Sequence, residues 1–348
     1  MRSFDYGKLK NKKWDNEIVG LVAQIHAYRA KQETMLKKTP QTFDRLVEIA
    51  KVQSTQASNE IEGIRTTSTR LKHLVANTAV PKTRDEEEIA GYRDVLNVIQ
   101  ENYEYIDVTS NYILQLHKML YSHSSKSIGG KYKNVQNFIS ATDSAGNAFT
   151  LFTPLAPYET APAIENICNE FNKAVADCEV DALILIPIFI HDFLCIHPFL
   201  DGNGRMSRLL TNLLLYKNGY YISKYVSLEA KIAKDKNSYY DALEKSQQGW
   251  HDGNDDFEAF IKYLLGVIVS AFRDFEDRIE NAYSKCSSYE VVKETIATIV
   301  GKFKKENLLE SCPSIGIKTI ENNLKKLVDE GFIEIHGKGK NTFYTKKL

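Results

Sequence analysis

The sequence predicts a mainly α-helical protein that carries one β-hairpin and ends in a small module of helices followed by strands. Three observations predict it. Apolar residues recur at helical spacing through most of the chain. A Ser-, Gly-, Asn-, Thr- and Pro-rich stretch from 122 to 157 interrupts them. The pattern then changes after residue 285, where two helical runs give way to two strand-like runs.

In chain order, Phe43, Leu46, Val47, Ile49, Ala50 and Val52 keep a helical rhythm, as do Ile89, Tyr92, Val95, Leu96 and Ile99. The acidic run Asp85–Glu88 opens the second of these, where a helix dipole favours negative charge, and is read as a solvated helix end without function. Ile113 to Leu120 forms another helical stretch. Within 122–157, Tyr132–Ile139 and Ala148–Phe152 have strand character, with Asp143–Asn147 as the turn, so a hairpin flap over a helical body is expected. Ala182–Ile196 is the most apolar run; it contains Pro187 and His191-Asp192 and is too short to span a bilayer, which leaves a buried core helix. Ser288–Phe303 and Ser314–Asp329 read as helices, and Phe332–Ile335 and Thr342–Thr345 as strands around Gly337–Lys340. That order is the pattern of a winged helix-turn-helix domain. The expected divisions are an N-terminal helical region over 1–105, a core with following helices over 106–285, and the winged helix over 286–348.

The 348 residues carry no formal net charge, so nothing global points to nucleic acid or a membrane as partner. Cys168, Cys178, Cys195, Cys286 and Cys312 are odd in number and lack C-x-x-C spacing, which argues against a disulfide framework or zinc site and for a reducing compartment. The N-terminus has no apolar signal core, and a cytoplasmic location is expected. Residues 288–348 hold eleven lysines, eight acids and no arginine. Lys318, Asn322, Lys325 and Lys326 on the second helix and Lys338 and Lys340 at the wing tip fit either DNA phosphates or a protein contact, including a homodimer.

The chemistry concentrates in His197-Pro198-Phe199-Leu200-Asp201-Gly202-Asn203-Gly204-Arg205-Met206-Ser207-Arg208. An apolar helix ends before it and another begins within it, with Gly202 and Gly204 freeing the backbone between. Backbone N–H groups at such a helix start converge on an anion. Arg205 and Arg208, one helical turn apart, oppose the dipole and make sense as a phosphate clamp. His197 suits a general base. Asp201 is the hard oxygen ligand that Mg²⁺ prefers beside phosphates. Each feature alone has an ordinary reading as a cap, a turn or a packed side chain. A dinucleotide fingerprint fails because Ser207 holds the third glycine position, and no P-loop is present. Upstream, Ser58-Asn59-Glu60-Ile61-Glu62-Gly63 is a helix end closed by Gly63, and Glu62 sits where the dipole disfavours a carboxylate, which points to a partner elsewhere.

The twelve-residue string matches the Fic family signature, H-x-F-x-[DE]-G-N-G-R-x-x-R, at every defined position, and the resemblance extends over about residues 40–250. It implies a Fic-type helical bundle and a protein adenylyltransferase that moves AMP from ATP to a Ser, Thr or Tyr hydroxyl of a target protein, or of itself. His197 resembles the base and Asp201 the Mg²⁺ ligand. Gly202, Asn203, Gly204, Arg205, Met206, Ser207 and Arg208 resemble the surroundings of the nucleotide phosphates. Phe199 resembles a buried anchor, and Tyr239 and Tyr240 aromatics near the adenine. Lys131–Thr142, with Ile139 and Ser140, resembles the flap that pins the target as an added strand; the family often has Arg where this chain has Lys133. Ser58-x-x-x-Glu62-Gly63 matches the family's inhibitory motif, which implies that Glu62 pairs with Arg208 and autoinhibits transfer. AMP removal, another phosphate-containing donor, and a nucleotide-sensing DNA-binding regulator are the alternatives.

Overall fold

The computed structural model describes residues 2–36, 40–142, 148–285, 287–299, 301–312, 315–337 and 339–347. The expected turn at 143–147, Cys286, Ser314 and Lys338 lie outside these residues. The chain separates into two compact units, Met1–Phe275 and Glu276–Leu348. Residues 1–105, expected as a region of their own, are thus part of the same unit as the core.

The first unit contains α1 (Asn16–Leu36), α2 (Pro40–Ile61), α3 (Ser68–Val75), α4 (Arg84–Asn102) and α5 (Ser110–Leu120), then a hairpin of β1 (Ile139–Thr142) and β2 (Ala148–Phe152). Next come α6 (Pro157–Asp177), α7 (Ala182–Ile196), α8 (Asn203–Lys217), α9 (Leu228–Lys234), α10 (Lys236–Gln247) and α11 (Glu258–Lys285), the last crossing into the second unit. At the centre, α7 is apolar apart from His191 and Asp192 and is buried from Leu183 to Ile196, close to what a helix enclosed on every side requires. Each fully buried Leu, Ile or Phe there contributes about 1.5–3 kcal/mol. It packs on α6 and α8; α8 also packs on α4, and α2 lies against α4 and α9.

The hairpin is antiparallel, Ser140 facing Thr150 and Thr142 facing Ala148, with an irregularity between Ile139 and Ser140. Its first strand is shorter than expected. Residues 132–138 are not a strand, because their hydrogen bonds go to the loop after α7: the Lys133 N–H donates to the Pro198 carbonyl at 2.8 Å. The acidic run at the start of α4 also differs from expectation. Glu86 and Glu88 are buried, and Glu86 pairs with Arg70 at 2.6 Å.

The second unit holds α12 (Ser288–Thr298), α13 (Lys305–Ser311), α14 (Ile317–Asp329), β3 (Ile333–His336) and β4 (Phe343–Lys346) around Val292, Ile296, Phe303, Leu308, Ile320, Leu324, Leu327 and Ile333. The helix expected to reach Phe303 stops at Thr298. Phe303 instead exchanges two backbone hydrogen bonds with Tyr344, at 3.0 and 2.8 Å. The short α13 was not legible in the sequence pattern. Among the described residues, no helix is long and apolar enough to cross a membrane.

Candidate active site between two buried helices

The loop from His197 to Gly202 joins the C-terminus of α7 to the N-terminus of α8. His197 caps α7 in the left-handed conformation, with φ of 50°, an unusual backbone for a residue with a Cβ. Gly202, at φ of 85°, precedes α8 and meets the Tyr121 hydroxyl where a Cβ would stand. Asn203 locks the turn by accepting from the Phe199 N–H at 2.9 Å and donating to its carbonyl at 2.8 Å. Phe199 is fully buried and stacks on His117 with ring centroids 3.6 Å apart. His117 accepts from the Gly130 N–H at 3.0 Å, so its other nitrogen donates to the Asp201 carbonyl at 3.1 Å. Asn137 donates to the His197 and Phe199 carbonyls, and Lys133 to the Ile196 carbonyl at 3.0 Å. The segment before β1 is therefore bonded to the loop that carries the motif.

The His197 ring places Nδ1 3.1 Å from the Leu194 carbonyl. A donor belongs at Nδ1, which leaves Nε2 with its lone pair. Burial, aided by the Lys133 charge and opposed by the Leu194 bond, lowers the imidazole pKa to about 4, so the ring is neutral near pH 7. Burial likewise lowers Lys133 to about 8.

The first N–H groups of α8 have no partner within the helix. Over them lies Glu62. A Cβ on Gly204 would fall 2.2 Å from Glu62 Oε1, so only glycine leaves room for that carboxylate. Glu62 is aimed by the end of α2. The Gly63 N–H bonds the Glu60 carbonyl and the Ile64 N–H bonds the Asn59 carbonyl, with Gly63 at φ of 81°, which is a Schellman stop. Arg208 donates to Glu62 Oε1 at 2.8 Å, and to the hydroxyl and carbonyl of Ser58 at 2.8 Å each. Burial acts to raise the Glu62 carboxyl, but the Arg208 guanidinium overrides it and holds the pKa below the ordinary value.

The expected pair of clamping arginines divides. Arg205 is turned into the protein, where it pairs with Glu88 at 2.7 Å and donates to the Tyr121 hydroxyl at 2.9 Å. Met206 is fully buried, and Ser207 donates back to the Gly204 carbonyl, so neither side chain reaches open space. Asp201 is half exposed and holds the Lys126 ammonium at 2.9 Å. Burial acts to raise its carboxyl, and the Lys126 bond and Arg205 charge lower it overall. Lys126 also reaches Glu88, at 3.3 Å. Glu88, His117, Tyr121, Lys126 and Asn137 are the site residues that sequence reading missed.

Tyr239 is buried and packs against Tyr240, Phe260 and Tyr263, whereas Tyr240 is exposed beneath the Lys236 ammonium. Of the flap residues, Ile139 is partly buried and Ser140 exposed. A second acidic cluster, His191, Asp192 and Asp255, already holds a cation of the chain's own: Arg2 bonds Asp255 at 2.7 Å, and Tyr6 and Trp250 donate to Asp192 at 2.7 Å each.

Residues 107–215 match the Fic/DOC family, a span that contains α5, the hairpin, α7 and the motif loop. The chain is 26% identical over 232 residues to a protein adenylyltransferase Fic from Nematostella vectensis, covering 63% of this chain and 47% of that protein. It is 36% identical over 91 residues to a Fido domain-containing protein from Dictyostelium discoideum, covering 26% of this chain and 59% of that one. The chain thus spans about half the length of these relatives. A Fic family protein from Desulfovibrio desulfuricans shares the fold over 97% of both chains with a TM-score of 0.61 at 20% identity. Fic-1 from C. elegans shares it over 76% of this chain and 73% of that one, with a TM-score of 0.61 at 17% identity.

Proposed function

From the Fic/DOC family domain that residues 107–215 form, we propose that this chain is a protein adenylyltransferase held in check by its own Glu62. The observation that carries the reading is the Glu62–Arg208 bond lying over Gly204 at the start of α8. A carboxylate there takes the place of a nucleotide phosphate and engages the guanidinium that would bind it. Relatives that include those from Nematostella vectensis and Drosophila yakuba carry the name protein adenylyltransferase, which supports ATP as donor.

When Glu62 leaves, Arg208 and the open N–H groups of α8 bind and orient the triphosphate. His197 Nε2 takes the proton of a Ser, Thr or Tyr hydroxyl on the target. The hydroxyl oxygen forms a bond to the α-phosphorus, the bond from that phosphorus to the bridging oxygen breaks, and pyrophosphate leaves. Asp201 fits Mg²⁺, since its carboxylate already binds a cation, the Lys126 ammonium. Mg²⁺ there supplies positive charge to the phosphates. Arg205, itself held by Glu88, acts by keeping Asp201 and Tyr121 in place rather than by touching phosphate. Ile139 and Ser140 offer the strand on which a target segment aligns, and Tyr240 offers an exposed ring for the adenine. Positioning and the base supply the acceleration, the base about 10²- to 10⁴-fold.

We also read residues 286–348 as a winged helix. Lys318 and Lys325 are exposed on α14, while Lys305 is paired with Glu321 at 2.7 Å. Retardation of duplex DNA at low salt would assign that face to phosphates, and its absence would assign it to protein contact.

The test of the main reading is label transfer. Glu62→Gly with α-³²P-ATP and Mg²⁺ is expected to label itself or an added target, and Glu62→Gly/His197→Ala is expected to stay blank. No label in any lane, with label released from a pre-modified target, would replace the reading with AMP removal.

A further inference from the structure

We infer that Glu229, through Ser54, is a positioning residue that sets how firmly the end of α2 keeps Glu62 on Arg208. The inference rests on the reading of Glu62 as a brake.

Glu229 lies in the first turn of α9 and is 1% exposed. No lysine or arginine among the described residues pairs with it. Its two oxygens are filled instead by neutral donors from four helices or their caps. Ser54 of α2 donates at 2.7 Å, Tyr92 of α4 at 3.1 Å, Asn212 of α8 at 2.8 Å, and Ser227, the N-cap of α9, at 2.9 Å. A carboxylate buried without a counter-cation is tolerable only when its acceptor sites are filled, so loss of one donor is felt at the others.

The spacing shows what this hub holds. Ser54, Ser58 and Glu62 follow one another at four-residue intervals, a row along one side of α2 and its terminal turn. Arg208 and Asn212 are likewise four apart on α8. The rows are joined rung by rung. Glu62 and Ser58 bond Arg208, and Ser54 joins Asn212 through the Glu229 carboxylate. The Glu62 end of the ladder is open, its side chain 34% exposed, and the Glu229 end is sealed. Release of Glu62 therefore peels α2 from its open end, and the Ser54–Glu229 rung opposes further peeling. Weakening that rung favours the released state without altering Glu62, Arg208 or any group at the phosphates.

The test measures ATP affinity by calorimetry, with Mg²⁺, on the full chain carrying His197→Ala to prevent turnover. Glu62→Gly is expected to tighten ATP about tenfold or more, and Ser54→Ala about threefold to tenfold, the range of one ordinary net hydrogen bond. Glu229→Gln should reproduce the Ser54→Ala effect, and Ser54→Ala decides alone if the former does not fold. Once Glu62 is Gly, adding Ser54→Ala should change nothing further. A merely structural role would lower thermal stability and leave the affinity unmoved, or shift it equally in both backgrounds; either result overturns the inference. Tightening by Glu62→Gly but not by Ser54→Ala sinks the inference and spares the brake. No tightening by Glu62→Gly sinks the brake and the inference with it.

Discussion

Two glutamate–arginine pairs stand one turn apart at the start of α8, Glu88–Arg205 and Glu62–Arg208, with contacts of 2.7 and 2.8 Å. Chemically they are the same bond. In the first pair the side chains are 2% and 1% exposed, and Tyr121 and Lys126 fill the remaining space. In the second, Arg208 is 4% exposed but Glu62 is 34% exposed, on a turn just beyond the end of its helix. A pair sealed on both sides cannot exchange its anion with solution. A pair open on the carboxylate side can. Burial, rather than the identity of the residues, divides the scaffold pair from the exchangeable one.

The strongest way to break this comparison is Glu88→Gln. It would leave the Arg205 charge buried without its partner, at a cost of about 3–5 kcal/mol, read by denaturant unfolding. A loss near that of a surface pair, under about 1 kcal/mol, would mean that the Arg205 site is wetter than its burial indicates. Glu62→Gly should behave oppositely, costing little stability while raising AMP transfer about tenfold or more, equivalent to roughly 1.4 kcal/mol or more of barrier. A variant as slow as wild type but less stable would make Glu62 a second scaffold residue.

Smaller effects sharpen the site. His197 has a depressed pKa of about 4, so its base form persists as pH falls and is lost only near that value. The acid side of the pH–rate profile of Glu62→Gly should therefore stay flat from about pH 8 to pH 6. A limb centred near the ordinary histidine value, about 6.5, would mean that the ring is solvated in the working enzyme. Smallest is Lys126→Met, which removes the cation now on Asp201. Half-saturating Mg²⁺ should fall by roughly twofold to fivefold, in line with loss of a partly exposed pair. An unchanged Mg²⁺ requirement would take Asp201 out of that role.

Which parts could be read in advance follows from chain separation. The twelve residues from His197 to Arg208 and the six from Ser58 to Gly63 are contiguous, so their spacing on a helix end is visible in the sequence. The longer helices α2, α4, α5, α7 and α14 were legible for the same reason, since a 3.6-residue period is local. The supports were not. His117 reaches the Asp201 carbonyl across 84 positions, Tyr92 reaches Glu229 across 137, and Ser54 reaches it across 175. Glu88 was concealed in another way, as one of four consecutive acids of which only some turn inward. Residues 132–138 read as part of a strand, yet Lys133 and Asn137 bond the carbonyls of a loop that lies next to them only in the fold.

The most direct measurement sets Glu62 against Arg208 itself. Initial rates of label transfer from α-³²P-ATP would be compared for wild type, Glu62→Gly, Arg208→Gln and the double variant. If the two side chains act on one guanidinium, Glu62→Gly is fast and the double variant falls to the level of Arg208→Gln alone. A double variant that keeps the full gain of Glu62→Gly would show that Glu62 restrains the enzyme by some route other than Arg208.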